Sequence, residues 1–387
     1  MEPNKKKYLV LDLGTTNVKA FIFDGNLKII AKEQKEITKN ITKKVWIEQS
    51  PGEMVSKSIE VIRKVFKNSG IAKNQLVSFG ITTQRETSIL WNAKTGKAVY
   101  PAIVWEDGRT EKYCQSLKHN RKLVESKTGL PVNPYFSASK IHWMLENVPT
   151  ARQLLAKGLL KFGTPDAWIL WNLTKNHEHV TDYTNACRTL LFNIHSLKWD
   201  KELLKIFGVS AKILPSPKPS KYNFGKLRKD ILGFELPIMA VCGDQQASLF
   251  AAGSNIGDTK ITYGTGTFVM QIANDRAKIK QGFFTTLAAT AGKKVYAVEA
   301  KLNIGAKQVK PLLKKPKELR NLILKIAKGA AKIVSKLPLK PKRIIIDGGI
   351  TQYKNLDVIQ SKLCNISVKK QNPYDGTALG VAKLLNL

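Results

Sequence analysis

The chain has 387 residues, of which 43% are hydrophobic and 24% charged, with a formal net charge of +35. This length suits two or three domains with sizeable cores, and the composition excludes a disordered tail, a collagen-like chain and a small disulfide scaffold. No run of about eighteen apolar residues occurs, so no membrane-spanning helix is expected, and no leader peptide is read after Met1-Glu2-Pro3.

Of the 64 basic residues only 10 are Arg, and the lysines are spread along the whole chain. Nucleic-acid readers concentrate Arg and interleave aromatics. The lysine excess is therefore read as compositional drift toward Lys, Ile and Asn, with weak attraction for anions as a by-product. No specific nucleic-acid partner is expected. Cys114, Cys187, Cys242 and Cys364 are far apart and lack CxxC spacing, which predicts small buried hydrophobes in a reducing cytoplasm.

In chain order, Tyr8–Asp12, Val18–Phe23 and Leu27–Ala31 predict three strands. They are joined by a polar turn at Leu13–Asn17 and a tight turn at Asp24-Gly25-Asn26. Ser50-Pro51-Gly52-Glu53 predicts a capping box with proline at the first helical position. Met54, Ile59, Ile62 and Phe66 follow at helical spacing. Val77–Ile81 is a further strand, and Pro215–Pro219 reads as a surface loop. A second module starts near Gly243. There a strand over Asp258–Thr262, a Gly-rich turn at 263–267 and a strand over Phe268–Gln271 repeat the opening theme. A long helix over Leu319–Leu337 carries Lys325, Lys328, Lys332 and Lys336 on its outer face. Arg343–Asp347 is a buried strand that breaks at Gly348-Gly349. The pattern is α/β with mixed sheets.

Three features carry chemistry. An Asp12-x-Gly14-Thr15-Thr16 turn, a Gly264-Thr265-Gly266 turn and an Asp347-Gly348-Gly349 break each follow a strand. Gly/Thr turns align backbone N–H groups that hold phosphate oxygens, and Asp12 could hold Mg²⁺ directly or through water. No Walker A loop is present. Together these turns suggest a two-domain ATP cleft of the actin and sugar-kinase type. His177-x-His179 reads as structural rather than as a metal site.

Longer runs are more specific. Gly80-Ile81-Thr82-Thr83-Gln84-Arg85-Glu86-Thr87, Asn133-Pro134-Tyr135-Phe136-Ser137, His179–Thr189 with Leu191–His195, and Gly243-Asp244-Gln245-Gln246-Ala247 resemble the glycerol kinases of the FGGY carbohydrate-kinase family. The resemblance covers about Lys7–Ala300 and Leu319–Leu387. It implies two ribonuclease H-like domains of the actin/hexokinase ATPase type with a cleft between them. A glycerol-binding domain would occupy 1–242, and an ATP-binding domain 243–387. It also implies transfer of a phosphoryl group from MgATP to glycerol, giving sn-glycerol 3-phosphate. The rival readings are a catalytically impaired relative and another FGGY sugar kinase.

By the same resemblance Asp244 is the general base, and its position before Gln-Gln-Ala-Ser-Leu-Phe also suits a helix N-cap. Arg85, Glu86, Trp105, Tyr135, Asp244, Gln245 and Phe268 bind glycerol. Thr15, Thr16, Asn17, Lys19, Gly264, Thr265, Gly305, Gly349 and Tyr353 serve the nucleotide, and Asp12 serves Mg²⁺. A cytoplasmic homodimer or homotetramer is implied as well. The chain departs from the family after about 305. Gly305 and Asp347 are 42 positions apart, where full-length members have roughly one hundred, so on the order of 55 residues are missing. That piece would carry two strands, and its loss is expected to thin the second sheet and expose edges.

Overall fold

The computed structural model describes residues 6–264, 266–274, 282–302, 304–372 and 375–387. The chain divides into two compact units. The first contains 1–244, 290–292 and 381–387, and the second contains 245–289 and 293–380.

In the first unit, β1 (Lys7–Leu13), β2 (Asn17–Asp24) and β3 (Ile29–Glu36) form an antiparallel meander. Helix α1 (Pro51–Ser69) starts where expected. The Ser50 hydroxyl accepts from the Glu53 N–H, Pro51 opens the first turn, and Gly70 closes the helix at φ +64°. The reciprocal half of the predicted capping box is not seen. The Glu53 carboxylate instead accepts from the Thr38 N–H and hydroxyl, at 3.3 and 2.9 Å. A tertiary donor has displaced the local one.

β4 (Leu76–Thr83) lies parallel to β1. α2 (Ser137–Asn147), α3 (Pro165–Leu173), β5 (Lys226–Leu227) and β6 (Leu236–Gly243) follow. The sheet order is β5-β6-β4-β1-β2-β3. Its core holds Leu9, Leu11, Val18, Ile22, Met54, Phe79, Ile81, Trp91 and Trp168. The expected Pro215–Pro219 loop is in part a short strand: Ser216–Lys218 pairs in parallel with Val180–Asp182. Proline is tolerated on so short a strand.

The second unit opens with most of α4 (Asp244–Ala252). Then come β7 (Thr259–Tyr263), β8 (Thr267–Ala273), β9 (Phe284–Leu287) and β10 (Tyr296–Leu302). After them follow α5 (Pro316–Val334), β11 (Ile344–Asp347), β12 (Val368–Lys370) and the first turn of α6 (Gly376–Asn386), whose remainder from Val381 belongs to the first unit. α5 buries Ile323, Ile326, Ala327, Ala330 and Val334, and exposes Lys325, Lys328 and Lys332.

The second sheet runs β9-β10-β8-β7-β11-β12. β7 is antiparallel to β8, and β8 to β10. β11 is parallel to β7, and β12 to β11. The first sheet has the same pattern, with two antiparallel neighbours on one side of β1 and two parallel ones on the other. A five-stranded topology therefore occurs twice, with the sixth strand, β5 or β9, added at opposite edges. The shortened 305–347 connection still delivers β11 to its place beside β7. The short helix Ala306–Val309 and α5 make that crossover, and α5 packs its apolar stripe on the sheet.

Candidate active site

In the first unit, the β1–β2 turn is closed by the Gly14 N–H donating to the Asn17 carbonyl at 2.9 Å. Asp12 is buried near the end of β1, opposite Lys19 in the antiparallel ladder and beside Thr82 in the parallel one. Among the described residues the buried Thr82 hydroxyl has no hydrogen-bond partner. Thr16 is exposed, and its carbonyl accepts from the Ile37 N–H. The Thr15 hydroxyl accepts from Trp105 Nε1 at 2.9 Å, and its carbonyl accepts from Gln49 Nε2 at 2.7 Å. The Gln49 Oε1 in turn accepts from Gln84 Nε2 at 2.8 Å. The phosphate-type turn and the aromatic wall are thus held by one chain of hydrogen bonds.

β4 is followed by Gln84-Arg85-Glu86, all buried. Glu86 has φ +61°, an unfavourable conformation for a residue with a Cβ. It is fixed by its carbonyl, which accepts from the Ser137 and Ser88 hydroxyls at 3.0 and 3.2 Å. The Glu86 carboxylate lies 2.6 Å from Arg188 Nε and 3.7 Å from Arg85 Nε. Arg85 Nε is also 3.4 Å from Asp244 Oδ1. Charges therefore alternate along Arg188, Glu86, Arg85 and Asp244, and three of the four side chains are almost wholly buried. Such a row is stable only when every member is compensated.

Tyr135 meets Trp105 edge-on, with centroids 5.4 Å apart. The Arg188 guanidinium faces the Tyr135 and Phe136 rings at 5.8 and 5.1 Å. Under this loop lies Lys140, fully buried on α2, whose Nζ donates to the carbonyls of Pro134, Tyr135 and Phe136 at 2.7, 2.8 and 3.1 Å. Burial draws its pKa down to about 8.

Asp244 follows β6, whose last residue Gly243 donates its N–H to the Thr184 hydroxyl at 2.8 Å. That hydroxyl donates to Asp182 Oδ2 at 2.7 Å, and Asp182 also accepts from the Asn185 N–H and the Ser220 hydroxyl. Burial, with Asp166 nearby, pushes the Asp182 carboxyl up to about 6. This buried cap fixes the backbone from which Asp244 projects.

The second unit holds the remaining predicted residues. The Ala306 N–H donates to the Gly264 carbonyl at 2.8 Å, which places Gly305 beside Gly264, and the Gly305 N–H donates to Gln308 Oε1 at 2.9 Å. The Gly264 turn and the Asp347-Gly348-Gly349 turn leave the ends of the adjacent parallel strands β7 and β11. Gly348 has φ +91°, and a Cβ there would lie 2.5 Å from the Tyr263 carbonyl oxygen. Gly349 faces open space. Tyr353 packs partly against the apolar core, and its carbonyl accepts from Lys370 Nζ at 3.3 Å. Phe268 is buried on β8 with Lys301 Nζ 5.7 Å from its ring. Gln245 Oε1 accepts from Lys260 Nζ at 2.7 Å. Thr265 lies outside the described residues.

His177 and His179 both pack against Trp171. His177 Nδ1 donates to the Trp171 carbonyl and His179 Nε2 to that of Phe162, each at 2.8 Å. Burial draws the His179 pKa down to about 4. Cys114, Cys187 and Cys242 are buried thiols, and Cys364 is half-buried.

Comparison with known proteins then decides the family. Residues 7–251 match the N-terminal domain of the FGGY family of carbohydrate kinases. The chain belongs to that family. It is 44% identical over 304 residues to the glycerol kinase of Caldanaerobacter subterraneus subsp. tengcongensis, and 44% identical over 306 residues to that of Clostridium botulinum. These alignments cover 77% and 78% of this chain and 61% of each relative, so the chain spans under two thirds of their length. The crystal structure of Plasmodium falciparum glycerol kinase with ADP superposes with a TM-score of 0.89 at 27% identity. That superposition covers 98% of this chain and 90% of the other.

Arg188, Lys140, Asp182 and Thr184 were not singled out as site residues from the sequence. Arg188 and the Asp182–Thr184 pair lie within a run that carried the FGGY resemblance. Lys140 shares its helix with the apolar Ala138, Ile141 and Met144, but as one of many lysines it carries no signal of its own burial.

Proposed function

We propose that this FGGY chain transfers the γ-phosphoryl group of MgATP to glycerol, giving sn-glycerol 3-phosphate and ADP. The observation that carries the proposal is the row of alternating charges ending at Asp244. Arg85 and Glu86 offer a donor fork and an acceptor to a polyol whose hydroxyls both give and take hydrogen bonds. Trp105 and Tyr135 supply an apolar wall for its carbon chain. Asp244 accepts the proton of the attacking hydroxyl. As the oxygen bonds to the γ-phosphorus, the bond to the β-phosphate oxygen breaks. Arg85 holds the base in place, and a base so positioned contributes about 10²–10⁴-fold.

On the nucleotide side we assign Thr15, Thr16, Asn17, Lys19, Gly264, Thr265, Gly305, Gly349 and Tyr353. Asp12 fits Mg²⁺. It is a buried carboxylate beside the orphaned Thr82 hydroxyl. Among the described residues no group of three or more His, Cys, Asp and Glu is gathered for a metal. One carboxylate with water and phosphate oxygens is how Mg²⁺ is commonly held in phosphoryl-transfer sites. Bound there, Mg²⁺ would neutralise phosphate charge. We assign a glycerol-binding domain to 1–242 and an ATP-binding domain to 243–387, with Asp12, Thr15, Thr16, Asn17 and Lys19 as the first domain's contribution to the nucleotide side, and extend the proposal to a cytoplasmic homodimer or homotetramer. Among the described residues no helix is long and apolar enough to cross a membrane.

The test is glycerol-dependent ADP release with glycerol 3-phosphate measured in parallel. Matched production of both is expected. ADP alone would mean uncoupled hydrolysis, and product from a pentulose but not glycerol would move the substrate to another sugar. Asp244→Asn should abolish transfer while leaving glycerol binding nearly unchanged, and comparable turnover in that variant would remove Asp244 as the base.

A further inference from the structure

Lys260, the second residue of β7, is almost wholly buried and has no part in the chemistry above. A buried ammonium group needs its N–H donors engaged. Its Nζ donates to Gln245 Oε1 at 2.7 Å and to the Thr262 hydroxyl, two residues along on the same face of the strand. The Thr262 hydroxyl donates to Asp347 Oδ1 at 2.5 Å, and the Ser248 hydroxyl donates to Asp347 Oδ2. The ladder register places Thr262 opposite Asp347. One cation therefore binds the carboxamide of Gln245 and, through one hydroxyl, the carboxylate that opens the Gly348-Gly349 turn.

We propose that Lys260 is a positioning residue that sets the polarity of the Gln245 carboxamide. The two ends of a carboxamide differ, since oxygen only accepts and nitrogen only donates. With Oε1 committed to the ammonium group, Gln245 meets a substrate hydroxyl with its Nε2 donor edge. Because Lys260 also bears on Asp347, the sugar-side amide and the nucleotide-side turn are held by the same side chain. The substrate part of this inference rests on the glycerol-kinase reading.

The experiment uses the full chain with Lys260→Met, Gln245→Ala and the double variant. A side-chain amide spectrum of ¹⁵N-glutamine-labelled protein accompanies the kinetics, with the Gln245 signal assigned by its absence in Gln245→Ala. Lys260→Met is expected to shift the Gln245 amide signal. It should also raise the glycerol KM about tenfold, the loss of one charge-assisted hydrogen bond. Gln245→Ala should raise it similarly, and the double variant no further. Multiplying effects, or an unmoved Gln245 signal, would overturn the proposal. If Lys260→Met does not fold, Lys260→Arg is read in the same cycle. It retains the cation but cannot place a donor at the same point. A shifted amide signal in a protein that never phosphorylates glycerol would keep the Lys260–Gln245 link and remove the glycerol reading.

Discussion

Arg188→Met tests whether the charge row is the keystone of the first unit. Methionine keeps much of the apolar stem but removes the guanidinium that lies 2.6 Å from Glu86. Removing one partner of a buried ion pair typically costs about 3–5 kcal/mol, because the other charge is left uncompensated. Arg85, 3.7 Å from the same carboxylate, retains part of that compensation, so the ion-pair loss belongs near 3 kcal/mol. Losing the contacts with the Tyr135 and Phe136 rings adds about 1 kcal/mol. A total near 4 kcal/mol corresponds to a fall in Tm of roughly 8–16 °C for a unit of this size. Calorimetry and urea unfolding read this directly. The companion double variant Glu86→Gln/Arg188→Met leaves no buried carboxylate without its partner, and should recover at least half of the loss. A fall of less than about 3 °C, or strictly additive losses in the double variant, would refute the reasoning.

Three further outcomes are expected. Lys140→Met leaves the carbonyls of Pro134, Tyr135 and Phe136 without their donor, so the Tyr135 loop should loosen and the glycerol KM should rise about tenfold or more in steady-state assays. Asp182 titrates near 6 in the folded chain against 3.8 for the free group. Its contribution to stability is therefore fully present below pH 3.8 and is lost as pH rises through 6, an amount of about 3 kcal/mol. Asp182→Asn should remove that slope when unfolding free energy is measured between pH 4 and 7, and an unchanged slope would exclude Asp182 as its source. Gly348→Ala would force a Cβ onto the Tyr263 carbonyl at a positive φ. It should weaken ATP binding at least tenfold in calorimetric titration and leave glycerol binding in the first unit nearly unchanged.

Much of the local architecture was written in the sequence. Strand runs separated by Gly14-Thr15-Thr16 and Asp24-Gly25 fix the opening meander, since alternation and turn chemistry act between near neighbours. Ser50, Pro51 and Gly70 bracket α1, because helix ends have orphan backbone groups that few residue types satisfy. The apolar stripe of α5 and the break at Gly348-Gly349 are local in the same sense. The identity of the FGGY motifs was legible too, because a run such as Gly243-Asp244-Gln245-Gln246 keeps its residues adjacent.

What only the tertiary structure decided concerns distant partners. Glu86 and Arg188 are 102 positions apart, and nothing near either one says that they meet. Glu53 could have closed its own capping box, but Thr38 reaches it first. Lys140 and Lys260 look like two more of many lysines until their burial is known, and burial is set by how helices and strands stack. That the shortened 305–347 connection still brings β11 beside β7 was likewise hidden, since strand pairing does not follow from connection length. The physical reason is common to all four. Propensity and periodicity are settled within a few residues, whereas compensating a buried charge depends on which segments the hydrophobic cores bring together.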